Sequence, residues 1–193
     1  MNIDVLLVFI YSYSLGSIPF GLILTKLFLR EDIRKIGSGN IGATNVFRTG
    51  NKSLAIMTLF FDVIKGYFSI YITSIYSEDL VYLAALICFI GHIYPVWLKF
   101  KGGKGVAVYL GTIIFLSFKC AIVFGLIWII FLFAYKYSSL SSIFSTFFAF
   151  VYSVFLGNFS LILYLFIAFI MMLYTHKENI VRLKNKTENK IKF

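Results

Sequence analysis

The stretch that decides the fold covers residues 80–98 and reads LVYLAALICFIGHIYPVWL, without a single Asp, Glu, Lys or Arg. It is followed at residues 99–105 by KFKGGKG, in which lysines alternate with glycines. A helix of that length is about 28 Å long at about 1.5 Å per residue, close to the ~30 Å thickness of a bilayer's hydrocarbon core. The stretch therefore predicts a transmembrane helix that ends in a basic loop.

The composition of the whole chain has the same character. Of its 193 residues, 60% are hydrophobic and 13% are charged, and the mean hydropathy is +0.91. A soluble domain cannot cover so much apolar surface with so few charges. The chain is expected to be an all-α integral membrane protein that forms a single domain over residues 1–193.

Hydropathy predicts about seven transmembrane helices, with five as the alternative because several of the apolar stretches are short. The first begins near Val5, and the others cover residues 53–75, 80–98, 106–118, 121–135, 143–156 and 159–174. Lys and Arg concentrate in the odd-numbered loops and the C-terminal tail. The positive-inside rule then places the N-terminus outside and the C-terminus in the cytoplasm.

The net charge of +10 is explained by these loops and by anionic lipid headgroups, so nucleic-acid binding is not predicted. Cys88 and Cys120 lie in apolar stretches without metal-ligand or redox spacing. The sequence gives no reason to expect a metal site, a cofactor or an obligatory protein partner.

Three polar segments share the predicted cytoplasmic face, namely residues 37–48 (GSGNIGATNVFR), 101–105 (KGGKG) and 176–183 (HKENIVRL). The first combines glycines with amide and hydroxyl groups and an arginine, and in the second the glycine N–H groups can form an anion-binding nest beside two lysines. Both can hold phosphate oxygens. The alternatives are an ordinary turn for the first and a basic surface loop for the second.

Three further polar positions each have two interpretations. Asp62 and Lys65 share one helical face in an apolar stretch, which is consistent with a structural ion pair or with a Lys65 that faces a substrate. His92 is a packing residue unless the neighbouring KGGKG makes it part of a site. His176 follows the last apolar stretch and shares a helical turn with Asn179, which suits proton handling, although a basic stop sequence would look similar.

The sequence has no GxSxG elbow and no zinc-like ligand spacing. An enzyme built this way would rely on phosphate positioning and charge stabilisation, and would need a donor with a good leaving group. The alternative is a transporter for a phosphorylated solute. That function needs a polar path across the bilayer, and the outer half of the chain offers almost none.

These motifs resemble those of the bacterial acyl-phosphate-dependent glycerol-3-phosphate acyltransferases, which are integral membrane enzymes. The resemblance covers nearly the whole chain, with GSIPFG at 16–21, DIRKIGSGNIGATNVFR at 32–48, DVIKG at 62–66, GHIYPVWLKFKGGKGVA at 91–107 and HKENIVRL at 176–183. It implies transfer of a fatty acyl group from acyl phosphate to the 1-hydroxyl of glycerol 3-phosphate, which gives lysophosphatidic acid and inorganic phosphate in phospholipid biosynthesis. It also implies seven spans in the bacterial cytoplasmic (inner) membrane, contact with membrane lipid and a site that faces the cytoplasm.

The resemblance further implies the residues of the site. The catalytic groups would be His176, Asn179 and Glu178. The substrate- and phosphate-binding residues would be Ser38, Gly39, Asn40, Asn45, Arg48, Lys65, His92, Lys101, Gly102, Gly103, Lys104 and Gly105. The chain departs from the family pattern at Val108, where Thr is usual, and at Thr175 and Lys177, where Arg is common. Three groups remain open as the acceptor of the hydroxyl proton: His176, His92 and a substrate phosphate oxygen.

Overall fold

The computed structural model describes residues 3–191, and this part of the chain contains helices and no β-strand. The α-helices are α1 (Ile3–Gly16), α2 (Phe20–Leu29), α3 (Ala43–Phe47), α4 (Lys52–Tyr76), α5 (Val81–Ile93), α6 (Val106–Leu116), α7 (Phe118–Tyr135), α8 (Ser138–Leu156), α9 (Phe159–Thr175) and α10 (Lys177–Lys184). Single turns of 3-10 helix lie at Ile33–Lys35, Glu78–Leu80 and Val96–Leu98. Residues 1–2 and 192–193 of the predicted domain lie outside the described part.

Several of these helices are long and apolar enough to cross a membrane, which confirms an all-α membrane protein. By length and composition, five stretches qualify: Ile3–Leu29, Lys52–Tyr76, Glu78–Leu98, Phe118–Tyr135 and Ser138–Leu156. The pair α9 and α10, bent by 59°, would make a sixth. With 11 residues, α6 is about 16 Å long, well short of the ~30 Å core. The count of seven spans and the orientation of the termini stay predictions.

Pro19 breaks the first span between α1 and α2. Proline has no N–H and its ring clashes with a helical backbone, so the chain leaves the helix at residues 17–19. Two carbonyls at the break accept hydrogen bonds from other elements: Ser17 O from Trp97 Nε1 at 2.7 Å and Ile18 O from Lys65 Nζ at 2.6 Å. The break at this proline therefore also creates two anchor points for distant segments.

The chain forms two compact units, Met1–Phe115 and Leu116–Phe193. In the first unit, α1 and α5 approach so closely that a methyl group at Gly16 would overlap the backbone of Cys88, and one at Gly91 would overlap that of Tyr13. Small residues allow such close approach between apolar helices. This contact fixes α5, whose last turn carries His92.

In the second unit, α7 and α8 are joined at Lys136, whose φ of 62° is left-handed. Their facing rings, Phe131 and Phe144, stack with centroids 4.5 Å apart. The C-terminal tail returns to this connection, where the Ile191 N–H donates to the Lys136 carbonyl at 2.8 Å. The tail is thereby held beside the first turn of α8.

Candidate functional site

The segment 37–48 is organised by one buried amide, that of Asn45, which is 2% exposed. Its Nδ2 lies 3.1 Å from Ile33 O, 2.9 Å from Ile36 O and 2.8 Å from Asn40 O, while its Oδ1 accepts from Ser38 N at 2.9 Å. A buried amide that meets so many backbone groups fixes the course of the chain around it. The structure thus uses the Asn45 amide to shape the loop.

Around that amide, the other predicted ligands lie nearer the surface. Ser38 and Gly39 are exposed, and Asn40 and Arg48 are partly buried. Gly37 has a left-handed φ of 57°, and a methyl group there would lie 3.1 Å from the Arg48 Cδ. Glycine at this position lets the arginine side chain lie directly along the turn. The segment therefore brings the Arg48 side chain close to the turn at Gly37, and the phosphate roles of Arg48 and Ser38 stay predictions.

An ion pair lies in the turn just before this segment. Arg34 donates to the Asp32 carboxylate through Nε at 2.9 Å and through Nη2 at 2.6 Å. The hydrogen bonds from Arg34 hold the pKa of Asp32 well below its usual range, although partial burial acts in the opposite direction. The Arg34 guanidinium therefore stabilises the turn that precedes the site.

The loop 101–105 packs against the end of α5. The N–H groups of Gly102 and Gly103 donate to Ile93 O and His92 O, both at 3.0 Å. These two N–H groups hold the loop against α5, and the role of the glycines in binding phosphate stays a prediction. Lys101 is exposed and Lys104 is partly buried, so the loop offers lysine charge in place of those amides.

Beneath the loop lies a buried polar cluster of Asp62, Lys65 and His92, which are 2%, 3% and 4% exposed. The Lys65 ammonium lies 2.7 Å from Asp62 Oδ1 and 3.0 Å from His92 Nδ1. Of the two interpretations of this pair, the geometry favours the structural one, because Lys65 is enclosed by protein acceptors.

In the second unit, His176 lies between α9 and α10 and is 2% exposed. Its Nδ1 lies 2.9 Å from Met172 O. A carbonyl can only accept, so Nδ1 carries the proton and Nε2 keeps its lone pair in the neutral ring. This tautomer is the one that a proton acceptor needs at Nε2.

The same unit contains a functional candidate that sequence reasoning missed, Glu188. Its side chain is 5% exposed and accepts from Asn179 Nδ2 at 2.6 Å, Ser139 Oγ at 2.8 Å and Arg182 Nε at 2.7 Å. Burial would raise the pKa of the Glu188 carboxyl, but these hydrogen bonds outweigh it and hold the pKa below its ordinary value. Glu188 therefore orients Asn179. The sequence signal that could have identified Glu188 is an acidic residue among the lysines of the C-terminal tail.

Glu178 occupies a different environment from its neighbour Asn179. Its side chain is 80% exposed, and its nearest charged partner is Arg182 Nη1 at 3.8 Å, one turn along α10. Adjacent residues on a helix face different directions. The structure thus separates Glu178 from the buried Asn179 amide, and its predicted catalytic role stays a prediction.

Comparisons with known proteins find relatives over nearly the whole chain. A family model described as glycerol-3-phosphate acyltransferase matches residues 6–186. Proteins called glycerol-3-phosphate acyltransferase from Pelagibacter ubique and Brucella anthropi are 47% and 48% identical, and the alignments cover 98% and 94% of this chain and 98% and 90% of those proteins.

Two solved structures are also similar over almost their full length. The crystal structure of PlsY (YgiH), an integral membrane glycerol 3-phosphate acyltransferase, in its glycerol 3-phosphate form is 35% identical, with a TM-score of 0.92 over 97% of this chain and 96% of that one. Its lysophosphatidic acid form is 34% identical, with a TM-score of 0.88 over 97% and 95%. On the match of sequence, fold and motifs, the chain belongs to the glycerol-3-phosphate acyltransferase family.

Proposed function

We propose that this protein transfers a fatty acyl group from acyl phosphate to the 1-hydroxyl of glycerol 3-phosphate. The products are lysophosphatidic acid and inorganic phosphate. Family membership is the observation that carries the proposal, and it is supported by a solved relative that has glycerol 3-phosphate and lysophosphatidic acid forms. The acyl-phosphate donor is inferred from the motifs, which combine phosphate-holding groups with no recognisable covalent nucleophile.

Phosphate binding is assigned to the first unit. Arg48 has the planar fork that matches phosphate oxygens, and it lies along the turn that Asn45 organises. Lys104 and Lys101 add point charges on the loop 101–105, which leads directly into the N-terminus of α6. A helix N-terminus favours anions, so charge and backbone act in the same direction there.

Handling of the attacking hydroxyl is assigned to His176 and Asn179. With its proton on Nδ1, His176 can accept the hydroxyl proton at Nε2, and a substrate phosphate oxygen is the competing acceptor because its second pKa is about 6. Attack on the acyl carbon breaks the bond to the phosphate leaving group, which departs as inorganic phosphate. Asn179, held by Glu188, is positioned to orient the reacting groups.

We also propose a location and a topology. The protein lies in the bacterial cytoplasmic (inner) membrane as a single acyltransferase domain of seven spans, with its N-terminus outside and its C-terminus and active site in the cytoplasm. The support is the concentration of Lys and Arg in alternate loops. Acyl phosphate would enter from the lipid and glycerol 3-phosphate from the cytosol.

The test uses the full chain purified in detergent with acyl phosphate and glycerol 3-phosphate, and it follows lysophosphatidic acid and inorganic phosphate together. We expect turnover that survives a chelator and that acyl-CoA does not support. In Arg48→Ala and Lys104→Ala, kcat/KM should fall about 10- to 100-fold, as expected for loss of one charge-assisted hydrogen bond. Equal turnover with acyl-CoA would contradict the donor, and normal kinetics in both variants would contradict the phosphate assignment.

A further inference from the structure

Lys65 is enclosed at the centre of the first unit, with its side chain 2% exposed. Its ammonium meets three acceptors: Ile18 O at 2.6 Å, Asp62 Oδ1 at 2.7 Å and His92 Nδ1 at 3.0 Å. The ammonium is hydrogen-bonded to Ile18 O and His92 Nδ1, and its contact with Asp62 Oδ1 is an ion pair without hydrogen-bond geometry. These groups enclose the ammonium and the side chain is 2% exposed, so Lys65 can act on a bound ligand only through a neighbour.

His92 is the neighbour through which it can act. Because the ammonium has no lone pair, His92 Nδ1 must be the acceptor of their hydrogen bond, and the proton of the neutral imidazole then lies on Nε2. A second proton on Nδ1 would set an imidazolium against the Lys65 ammonium. Asp62, 3.9 Å from Nδ1, balances the charge of Lys65 and lets it stay buried.

The Nε2 end of the ring faces the loop 101–105. Of the His92 ring atoms, Nε2 is the one closest to a methyl group built on Gly103, which would overlap it. The Gly103 N–H also donates to the His92 carbonyl, so His92 contacts the loop through both its backbone and its ring. The Gly102 and Gly103 N–H groups point towards the end of α5, and the His92 Nε2–H is a neutral donor beside them.

We propose that Lys65 is a positioning residue that fixes His92 in the Nε2–H tautomer, so that His92 presents a hydrogen-bond donor to a substrate phosphate at the loop 101–105. The phosphate part rests on the proposed function, whereas the tautomer does not. The arrangement supplies a donor whose protonation is fixed by a buried ion pair. His176, with its proton on Nδ1, is the opposite tautomer.

The tautomer can be read directly because the chain has two histidines. Protein labelled with ¹⁵N-histidine and purified in detergent gives two sets of ring signals in long-range ¹H–¹⁵N spectra, and His176→Gln identifies the set that belongs to His92. We expect His92 to carry its proton on Nε2 alone and its Nε2 signal to shift when inorganic phosphate or glycerol 3-phosphate is added. A proton on Nδ1 overturns the tautomer, and an Nε2 signal that ignores both ligands overturns the phosphate contact.

The role of Lys65 is tested by Lys65→Met, with Lys119→Met as a control that removes an exposed lysine. Without the ammonium, His92 should become a mixture of tautomers. The KM for glycerol 3-phosphate should then rise about 3- to 10-fold, as expected for the loss of one neutral hydrogen bond, with a smaller change in kcat. If folded Lys65→Met still carries the His92 proton on Nε2 alone, Lys65 does not fix the tautomer, and that result refutes the role.

A second pair of variants does not depend on the folding of Lys65→Met. In His92→Gln the amide nitrogen can take the place of Nε2, whereas in His92→Asn the shorter side chain places it nearer Nδ1. We expect His92→Gln to keep a KM closer to that of the unaltered protein, and a lower KM in His92→Asn contradicts the proposal. If acyl transfer from acyl phosphate is absent while the Nε2–H signal and its phosphate shift are present, the proposed function fails and the assignment of Lys65 stands.

Discussion

Replacing Glu188 with Gln tests whether the C-terminal tail holds Asn179 in place. The Glu188 carboxylate accepts from Ser139 and Asn179 at one oxygen and from Arg182 at the other. A Gln oxygen can keep the first two bonds, but its NH₂ group then faces the Arg182 N–H. The loss of one charge-assisted bond costs about 1.5–3 kcal/mol, equivalent to an increase of about 10- to 150-fold in local opening of the tail.

The opening is measured by hydrogen exchange of the C-terminal peptide, because the Ile191 N–H is bonded to Lys136 O only while the tail is docked. We expect its exchange to accelerate by about that factor and kcat to fall as Asn179 loses its orientation. Glu78→Gln, which removes an exposed acid from the first unit, is the control and should change neither. Unaltered exchange and unaltered kcat in Glu188→Gln would refute the reasoning.

Because the pKa of Glu188 is lowered in the folded protein, its contribution should be fully present above the unfolded value, about 4.3, and lost as the pH falls through the folded value, so tail exchange should accelerate only in acid. Gly103→Ala should lower the free energy of unfolding by about 1–3 kcal/mol, because the added methyl group overlaps the His92 ring. Gly125→Ala should raise it by about 0.5–1 kcal/mol, because a methyl group there meets no atom within 4 Å. His176→Ala should lose most activity and His176→Gln should recover part of it. Equal and complete loss in both would favour a true general base, and full activity in both would remove His176 from the site.

Hydropathy predicted the helices well because membrane helices are decided locally. Each must be apolar over its length and must satisfy its backbone hydrogen bonds internally, and both properties are visible in a single stretch of sequence. The helix predicted at residues 53–75 is observed as Lys52–Tyr76, and that at 159–174 as Phe159–Thr175. The differences are larger where a helix breaks, as at Pro19, or starts earlier than its apolar part, as α8 does at Ser138.

The candidate site was predicted unevenly, for a physical reason. Residue types suited to phosphate were visible in the motifs, but a motif does not say whether a polar group faces a ligand or another part of the protein. Asn45 and the N–H groups of Gly102 and Gly103 have the right chemistry for phosphate, and the structure uses them to hold the loops. The phosphate roles of Arg48 and Lys104 stay predictions.

The sequence by itself determined the class of protein, the helices and the family, because composition, apolar length and motif order are properties of the chain. Only the tertiary structure decided which polar groups meet. Lys65 donates to Ile18 O, 47 positions away in the sequence, and Glu188 accepts from Ser139, 49 positions away. Contacts of that separation are set by how helices pack and where the tail returns, and hydrogen bonds form only between groups that packing has already brought within about 3 Å.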